Sequence, residues 1–432
     1  MNTSSRGRFS SLRGRFLHYE GDFFIMRNDF LITRKEMITI SITTIIAGAV
    51  VVLLAILGSL VNPFLRSLRF PETEGNEAES SQEGNEAELS QKGNAEPVTI
   101  LITAHDNLPE LERNLPMFLN QQYAADYQVI VVSQSTDVDT IDFLKRTAAQ
   151  NPHLYYTYIP ESSRYMSRKK LQITLGVKAA KYEWIILTEP TCRPESNQWL
   201  AAMTQQFSTS NHLVLGYVAF DEETKRIRRF ESIRRAFYLL RRAQHSYAYR
   251  THMPNVAFRK SDFMEGQGYQ GNLEYIRGEY DFLVNKYAEC GDTAVELGRQ
   301  AWLIHDEPSN KSWHNIHLYL QASLKSLNRV KSMRTLLFFD HLLPHLSLLA
   351  SIAALAWSIY AQDWILTGCA GFSLILLFVI RMLIAHKAIK HFDEDLAMIK
   401  LPFYEYGIIW RNLANKIRYW RADKNDFTSH KL

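Results

Sequence analysis

The stretch VTILITAHDNLPELERNLPMFLNQQYAADYQVIVVSQ, residues 98–134, is the part of the sequence from which we predict the fold class. Its two apolar runs, VTILITA (98–104) and YQVIVVS (127–133), are short and rich in β-branched residues, which is typical of buried strands. The intervening LPELERNLPMFLNQQ repeats its apolar residues at the period of a helix. A strand, a helix and a strand of these lengths predict a right-handed β-α-β unit with parallel strands.

The same alternation continues along the chain. We predict a helix over 137–150, a third strand LYYTYI (154–159), a helix over 168–180 and a fourth strand WIILT (184–188). Strands that alternate with helices predict an α/β fold, with a mostly parallel sheet and helices on both of its faces. Sheets of this kind bind ligands beyond the carboxyl ends of their strands.

Polar residues follow three of these strands, at residues 104–106, 133–135 and 189–191, and we expect them at one crevice. For Ser133 and Thr191, a helix cap or a turn is the alternative interpretation. No glycine-rich loop follows the first strand, which disfavours a dinucleotide site or a Walker site. HExxH, GxSxG and cysteine-cluster motifs are also absent from the sequence. These observations favour a nucleotide bound without a glycine loop, where a carboxylate-held divalent metal usually neutralises the diphosphate.

Composition limits the class of protein. The chain has 432 residues, 46% of them hydrophobic, which suits a soluble domain combined with membrane segments. The formal net charge is only +4, so binding to nucleic acid is not indicated. The three cysteines, Cys192, Cys290 and Cys369, are scattered and odd in number, which fits a reducing compartment and no disulfide framework.

Three apolar runs, at residues 37–61, 342–360 and 364–383, are long enough to cross a hydrocarbon core of about 30 Å as helices. For the last two, a buried helical pair in a soluble domain is the alternative. Cations flank this pair, and the turn between its helices has none, which predicts a multi-pass protein of the inner (plasma) membrane with a cytoplasmic middle region and C-terminus. The flanking cations are Lys325, Arg329, Lys331 and Arg334 before the pair, and Arg381, Lys387 and Lys390 after it.

The N-terminal region conflicts with this orientation. Residues 1–36 carry seven cations, which favour the cytoplasmic side, whereas the predicted topology places them outside. One hypothesis is that the natural start is Met37, and mass measurement of the purified N-terminus would test it. After the first span, the segment GNEAESSQEGNEAELSQKGN is an acidic, imperfect nine-residue repeat, which predicts a disordered tether.

The predicted organisation therefore has six parts. They are a tail (1–36), a transmembrane helix (37–61), the acidic linker (62–96), the α/β domain (97–335), two transmembrane helices (336–385) and a cytoplasmic, membrane-surface C-terminal tail (386–432). The basic stretch KRIRRFESIRRAFYLLRRAQHSYAYR (225–250) has two interpretations. It is an interfacial helix on anionic headgroups, or a helix with a solvated basic face and its apolar side on the core.

Six segments, taken in order and spacing, resemble the family 2 glycosyltransferases, which are membrane-anchored inverting enzymes with a GT-A fold. The likeness covers roughly residues 97–400 and includes the trailing helix pair. The segments are ITAHDNLPELERNLPMFLNQQY, VIVVSQSTDVDT, SRKKLQITLGVKAAKYEWIILTEPTCRPESNQWL, PNVAFRKSDF, RGEYDFLVNKYA and LYLQASLKSL.

The resemblance implies a GT-A-type, Rossmann-like sheet and a nucleotide-diphosphate sugar, such as a uridine diphosphate sugar, as donor. A divalent metal, Mg²⁺ or Mn²⁺, would be the cofactor. The acceptor would be a lipid-linked or surface glycan. The implied site residues are Glu279 or Asp281 as the base and Gln321 beside the leaving diphosphate; Glu189 and Thr191 for the metal or diphosphate; and His105, Asp106, Gln134, Lys169 and Lys170 for the nucleotide.

The sequence departs from the family at the positions that do the chemistry. Ser133-Gln134 replaces paired aspartates, Glu189-Pro190-Thr191 replaces the DxD motif, and Glu279-Tyr280-Asp281 replaces a run of aspartates. Ala322 and Leu324 replace two basic positions after Gln321. Because hard cations prefer charged oxygen ligands, we expect weakened metal binding. The alternative function is a catalytically inactive scaffold or partner subunit for other envelope-glycan enzymes.

Overall fold

The computed structural model describes residues 41–70, 95–161, 167–245, 248–288, 293–328 and 330–428. The predicted N-terminal tail, the first residues of the predicted first span and most of the predicted linker lie outside these residues. The chain divides into two compact units. The helix unit contains the first described helix and residues 342–379, and the α/β unit contains residues 61–341 and 380–432.

In the described part of the α/β unit, ten strands form two sheets. The central sheet has seven strands in the order β3-β2-β1-β4-β8-β6-β9, and a smaller sheet has the order β5-β10-β7. The strands are β1 Val98–Thr103, β2 Tyr127–Gln134, β3 Leu154–Ile159, β4 Trp184–Thr188, β5 Cys192–Pro194, β6 Leu213–Gly216, β7 Val218–Phe220, β8 Val256–Arg259, β9 Thr293–Glu296 and β10 Leu303–His305.

Most pairings in the central sheet are parallel. Strands β1 to β4 run parallel to one another, β6 runs parallel to β9, and β8 runs antiparallel to both β4 and β6. This sheet confirms the predicted α/β class with a mostly parallel sheet. The antiparallel β8 and the small second sheet are additions that the sequence analysis did not predict.

Twelve α-helices lie within the described residues. They are α1 Ile42–Leu60, α2 Leu108–Leu119, α3 Val138–Gln150, α4 Arg168–Ala179, α5 Trp199–Thr204, α6 Arg226–His245, α7 Lys260–Glu265, α8 Glu279–Tyr287, α9 Asn310–Ser323, α10 Val330–Tyr360, α11 Trp364–Lys390 and α12 Leu401–Arg421. Short 3₁₀ helices cover Pro63–Leu65, Arg299–Ala301, Met398–Lys400 and Lys424–Phe427.

Strand β1 shows why the central strands are continuous apolar runs. All six of its side chains are buried, because successive side chains point to opposite faces and both faces are covered. On one face Leu101 belongs to a core that contains Ile173 and Val177 of α4. On the other face Ile100 and Ile102 belong to a second core. The helices therefore hold the strand ends in fixed positions.

Helix α4 packs unusually close to β1, at a glycine. A Cβ atom added to Gly176 would lie 2.2 Å from Cδ1 of Leu101, and Leu101 is fully buried. We therefore expect Gly176→Ala to lower the free energy of unfolding by about 1–3 kcal/mol, because the buried leucine must shift. Denaturant unfolding in detergent measures this loss. Lys178→Ala, at an exposed position of the same helix, is the control, and equal stability of the two variants would contradict the close packing.

Helix α6, within the basic stretch, lies largely inside the α/β unit. Phe230, Ile233 and Leu240 are buried in the core. Arginines of this helix form ion pairs with carboxylates of the same chain. The pairs are Arg228 with Glu307, Arg229 with Glu394 and Arg234 with Asp340. This arrangement supports the second interpretation of the basic stretch, a helix with its apolar side on the core.

Four buried charges connect α6, α10, α11 and α12 within the α/β unit, and we call them the buried ion network. Nε of Arg381 lies 2.6 Å from Oε2 of Glu405, and both side chains are 1% exposed. Nε of Arg234 lies 4.0 Å from Oε1 of Glu405, and its guanidinium also pairs with Asp340. Asn62 donates a hydrogen bond to Glu405 at 3.2 Å. Two guanidinium groups and two carboxylates therefore balance one another away from water.

Within the described residues, three helices are long and apolar enough to cross a membrane, and they cover Ile42–Leu60, Thr335–Tyr360 and Trp364–Lys390. They overlap the three predicted spans. Within the helix unit, Oγ1 of Thr44 donates to Oδ2 of Asp363 at 2.6 Å. A Cβ on Gly48 would lie 3.0 Å from Sγ of Cys369, so α1 and α11 pack closely at this glycine. The orientation of the spans stays a prediction.

Candidate functional site

The candidate site lies where β1, β2 and β4 end. These strands are parallel neighbours, and their register pairs Ile102 with both Val131 and Thr188. Residues 104–106, 134–136 and 189–191 therefore emerge at the same edge of the sheet, which we call the carboxyl edge. Gln172 of α4 fixes the helix there, because its amide donates to the carbonyls of Ala104 and Val132 at 2.7 and 2.9 Å.

Lys169 joins two carboxylates at the carboxyl edge. Its ammonium forms an ion pair with Glu189, which directly follows β4, and lies 3.1 Å from Oε1 of Glu279 at the start of α8. The side chains of Lys169, Glu189 and Glu279 are 17%, 24% and 5% exposed. The Lys169 ammonium also lies 4.9 Å from the ring centre of Tyr280. We call Lys169, Glu189 and Glu279 the carboxylate–lysine cluster.

Electrostatics keep Lys169 and Glu189 charged. Burial alone would raise the pKa of Glu189, but the ammonium of Lys169, with smaller contributions from His305 and Arg277, lowers it to about 2. Burial alone would lower the pKa of Lys169, but Glu189 and Glu279 more than compensate and raise it above its ordinary value. Both groups are therefore ionised at neutral pH.

Glu279 offers an oxygen that a ligand can use. Its Oε2 is buried and has no hydrogen-bond partner in the described part of the chain. The residue opens α8 after Gly278, whose φ of +96° is a left-handed conformation that favours glycine. A buried carboxylate oxygen without a partner costs about 1–3 kcal/mol, so a ligand hydroxyl that donates to it would bind favourably.

Arg168 and Gln134 form a second polar contact at the same edge. Nη1 of Arg168 donates to Oε1 of Gln134 at 3.0 Å, and Gln134 is the last residue of β2. Arg168 is exposed, and sequence reasoning did not select it, although it precedes Lys169. A guanidinium has five N–H donors, and among the described residues Arg168 makes no other hydrogen bond, so donors remain for a ligand.

His105 and Asp106 follow β1 but lie more open to solvent. Their side chains are 53% and 78% exposed, and Nδ1 of His105 lies 3.6 Å from Oδ2 of Asp106. Asp106 has a positive φ of +51°, and its backbone N–H donates to Asp137 at 3.3 Å. Among the described residues, neither side chain has an ion pair with the carboxylate–lysine cluster.

Thr191 lies on the far side of the turn after β4. Its Oγ1 is 3.3 Å from Nε2 of His305, and its carbonyl accepts the backbone N–H of Asp306 at 2.9 Å. Arg193 donates to the Asp306 carboxylate at 2.9 Å, and the amide of Asn114 donates to the carbonyl of Pro190 at 2.8 Å. These contacts hold the turn that presents Glu189, and the sequence analysis did not identify them.

Lys170 and Asp281 make their described hydrogen bonds and ion pairs with groups outside the carboxylate–lysine cluster. Lys170 is fully buried and donates to the backbone carbonyls of Asn272 and Tyr275, and burial lowers its pKa to about 8. Oδ2 of Asp281 lies 3.6 Å from Arg250, and burial raises the pKa of Asp281 despite this cation. Their predicted roles stay predictions.

Gln321 lies near the end of α9 and is half-buried. Two residues later, Ser323 lies against Gly278, because a Cβ added to this glycine would be 3.0 Å from the Cβ of Ser323. The end of α9 therefore packs beside the start of α8. Within the described residues no hydrogen bond joins Gln321 to the carboxylate–lysine cluster, so its role also stays a prediction.

The donor set at the carboxyl edge does not fit a divalent metal. Mg²⁺ and Mn²⁺ take several hard oxygen ligands, of which carboxylates are the strongest. Glu189 is paired with Lys169, and the hydroxyl of Thr191 is neutral and lies beside His305. Across the residues that the structure describes, no group of three or more histidine, cysteine, aspartate or glutamate side chains could hold a metal ion.

Comparisons with known proteins give a distant likeness. No family model matches the chain, and no curated protein sequence matches it. Among solved structures, the chain is similar to a mannosyltransferase from Pyrobaculum calidifontis in complex with GDP-Man and Mn²⁺. The identity is 16% and the TM-score 0.47, and the match covers 81% of this chain and 96% of that chain. A likeness this distant assigns no activity to the present chain.

Proposed function

We propose that the protein is a membrane-anchored glycosyltransferase of the GT-A type. It would bind a nucleotide-diphosphate sugar at the carboxyl edge and transfer the sugar, with inversion, to a lipid-linked or surface-glycan acceptor. The observation that supports this most is the convergence of Lys169, Glu189 and Glu279 beyond the ends of parallel strands. Ligands of open α/β sheets bind at this edge.

The donor side of the site would use residues that follow β1, β2 and β4. Gln134 and the Arg168 that contacts it would bind the nucleoside or ribose, together with His105 and Asp106. Lys169 would bind the diphosphate, because an ammonium is a strong donor to phosphate oxygens.

The acceptor side would use Glu279 as the base. In an inverting transfer the acceptor oxygen attacks the anomeric carbon, the bond from that carbon to the diphosphate breaks, and the nucleoside diphosphate leaves. The base takes the acceptor proton and must lie about 2.6–3.2 Å from the hydroxyl. The buried, unpartnered Oε2 of Glu279 suits this role. Asp281 is the other candidate, but it lies beside Arg250.

A calorimetric titration tests the proposal. The purified full-length protein would be titrated with a panel of uridine and guanosine diphosphate sugars. We expect at least one to bind, and Gln134→Ala to weaken that binding because the nucleoside loses a hydrogen-bonding side chain. Asp139→Ala, at an exposed carboxylate of α3, should leave binding unchanged. Absence of binding across the panel would instead favour the scaffold or partner-subunit function.

The membrane placement in this proposal includes α12 as an interfacial helix. Leu413, Ile417 and Trp420 are 46%, 42% and 78% exposed and lie on one face of the helix, at the spacing i, i+4 and i+7. The buried residues of the helix lie outside this stripe and include Glu405, which pairs with Arg381 of α11. An exposed apolar stripe on a basic helix is typical of helices that lie on a membrane surface.

Spin labels would test this placement. With the native cysteines replaced, a nitroxide at residue 417 should be relaxed more by lipid-soluble oxygen than by a water-soluble nickel chelate, in anionic nanodiscs. A label at residue 418, which is also exposed but lies outside the stripe, should show the reverse. The same water-accessible profile at both positions would contradict an interfacial α12.

A further inference from the structure

We propose that the carboxyl edge binds the donor diphosphate without a divalent cation, with the ammonium of Lys169 in the place that a metal would take. This inference rests on the proposed function and deepens it. It assigns to the site a metal-independent mode of binding for nucleoside diphosphates.

The geometry of Lys169 is the first support. Its ammonium bridges Glu189 and Glu279, so one positive charge lies between the two carboxylates nearest the strand ends. A lysine ammonium has three N–H donors. One of them is donated to Glu189, the ammonium lies 3.1 Å from Glu279, and in the described part of the chain at least one donor makes no further hydrogen bond. That donor is available to a phosphate oxygen.

The surrounding charges are the second support. Exposed Arg168 adjoins Lys169, and exposed Arg277 lies close enough to influence the charged states of both Lys169 and Glu189. Lys169 and Arg277 therefore balance the two carboxylates, and Arg168 adds a further positive charge at the carboxyl edge, which favours an anionic ligand. Guanidinium groups bind phosphate with two parallel hydrogen bonds, so the arginines would supplement the single ammonium.

The oxygen ligands are the third support. A divalent ion at Glu189 would have to displace Lys169 or lie beside it, and like charges at that distance repel. The nearest replacement ligand in the Glu189-Pro190-Thr191 turn is the neutral hydroxyl of Thr191, which is 3.3 Å from His305. Thr191 stands where the DxD motif has an acidic residue, and Glu189 is paired with Lys169. Both features therefore disfavour the binding of a divalent ion.

The test is a calorimetric titration of the full-length protein in detergent with UDP and with GDP, once in EDTA and once in MnCl₂. We expect the nucleotide that binds to have the same affinity in both buffers. Electron paramagnetic resonance should also show that the free Mn²⁺ signal is unchanged by the protein. Binding that requires Mn²⁺ would overturn the metal-independent mode but leave the proposed function standing. Binding in neither buffer would overturn the proposed function and this inference with it.

Substitutions at Lys169 complete the test. Lys169→Met should weaken nucleotide binding in EDTA by about 10-fold to 100-fold, the loss of one charge-assisted hydrogen bond. Lys169→Arg keeps the charge and should retain most of the binding. This result would show that the loss in Lys169→Met comes from the missing charge and not from a general intolerance of substitution at this position. Lys178→Met, at an exposed position of the same helix, should bind like the unmodified protein. Unchanged binding by Lys169→Met would overturn the inference.

Discussion

Glu405→Ala is expected to lower the free energy of unfolding by about 3–5 kcal/mol, because it removes the carboxylate that two buried guanidinium groups share. Arg381 is 1% exposed and loses its 2.6 Å partner, and Arg234 loses Glu405 but keeps Asp340. Asn62 also loses an acceptor. A denaturant titration of the protein in detergent measures this loss of unfolding free energy.

Two further variants make this prediction specific. Lys416→Ala, at an exposed position of the same helix, should have little effect. The double variant Arg381→Met/Glu405→Met should regain much of the stability, because a buried ion pair replaced by apolar groups of similar volume is often neutral. If the double variant is no more stable than Glu405→Ala, or if Glu405→Ala unfolds like the unmodified protein, the buried ion network does not stabilise this fold.

Glu279→Gln is expected to lower the rate of the chemical step by about 10²–10⁴-fold, the usual contribution of a positioned general base. The amide keeps the shape of the side chain but cannot take the proton. Release of nucleoside diphosphate from the nucleotide sugar that binds, with water as acceptor, measures the rate without knowledge of the natural acceptor. Nucleotide affinity measured on the same preparation separates loss of the base from loss of the site.

The neighbouring carboxylate supplies the comparison. Asp281→Asn should reduce the rate much less, because Asp281 is directed to Arg250 and not to the carboxylate–lysine cluster. A larger loss in Asp281→Asn than in Glu279→Gln would assign the base to Asp281 and contradict the arrangement proposed for the acceptor side.

The sequence predicts the central strands well because their signal is strong. The runs at 98–104, 127–133, 154–159 and 184–188 coincide with β1 to β4 within one residue at each end. The smaller sheet has strands of three residues, such as β5 and β7, which are too short to show a period. The antiparallel β8 lies within PNVAFRKSDF, and no local pattern states the direction of its neighbours.

Adjacent lysines show what sequence reasoning can and cannot resolve at the site. Lys169 and Lys170 received the same predicted role, yet one bridges two carboxylates and the other is buried. Helical phase does not separate them, because the buried Ile173 lies at i+4 from Lys169 and at i+3 from Lys170. The partners of Lys169 therefore emerged only from the fold.

The buried ion network was the least predictable feature. Arg381 and Glu405 are separated by 24 positions, and Arg234 and Asp340 by 106. The one hint in the sequence is that Arg381 interrupts an apolar run, since charged residues inside such runs are usually paired. The pairing itself depends on tertiary structure that brings α6, α11 and α12 together.

A density map of the full-length protein in nanodiscs with a bound nucleoside diphosphate tests the central claim most directly. We predict phosphate density within hydrogen-bonding distance of Lys169, with the nucleobase of the ligand directed to Gln134 at the end of β2. Nucleotide density away from the carboxyl edge would contradict the claim, as would a map in which Lys169, Glu189 and Glu279 do not meet.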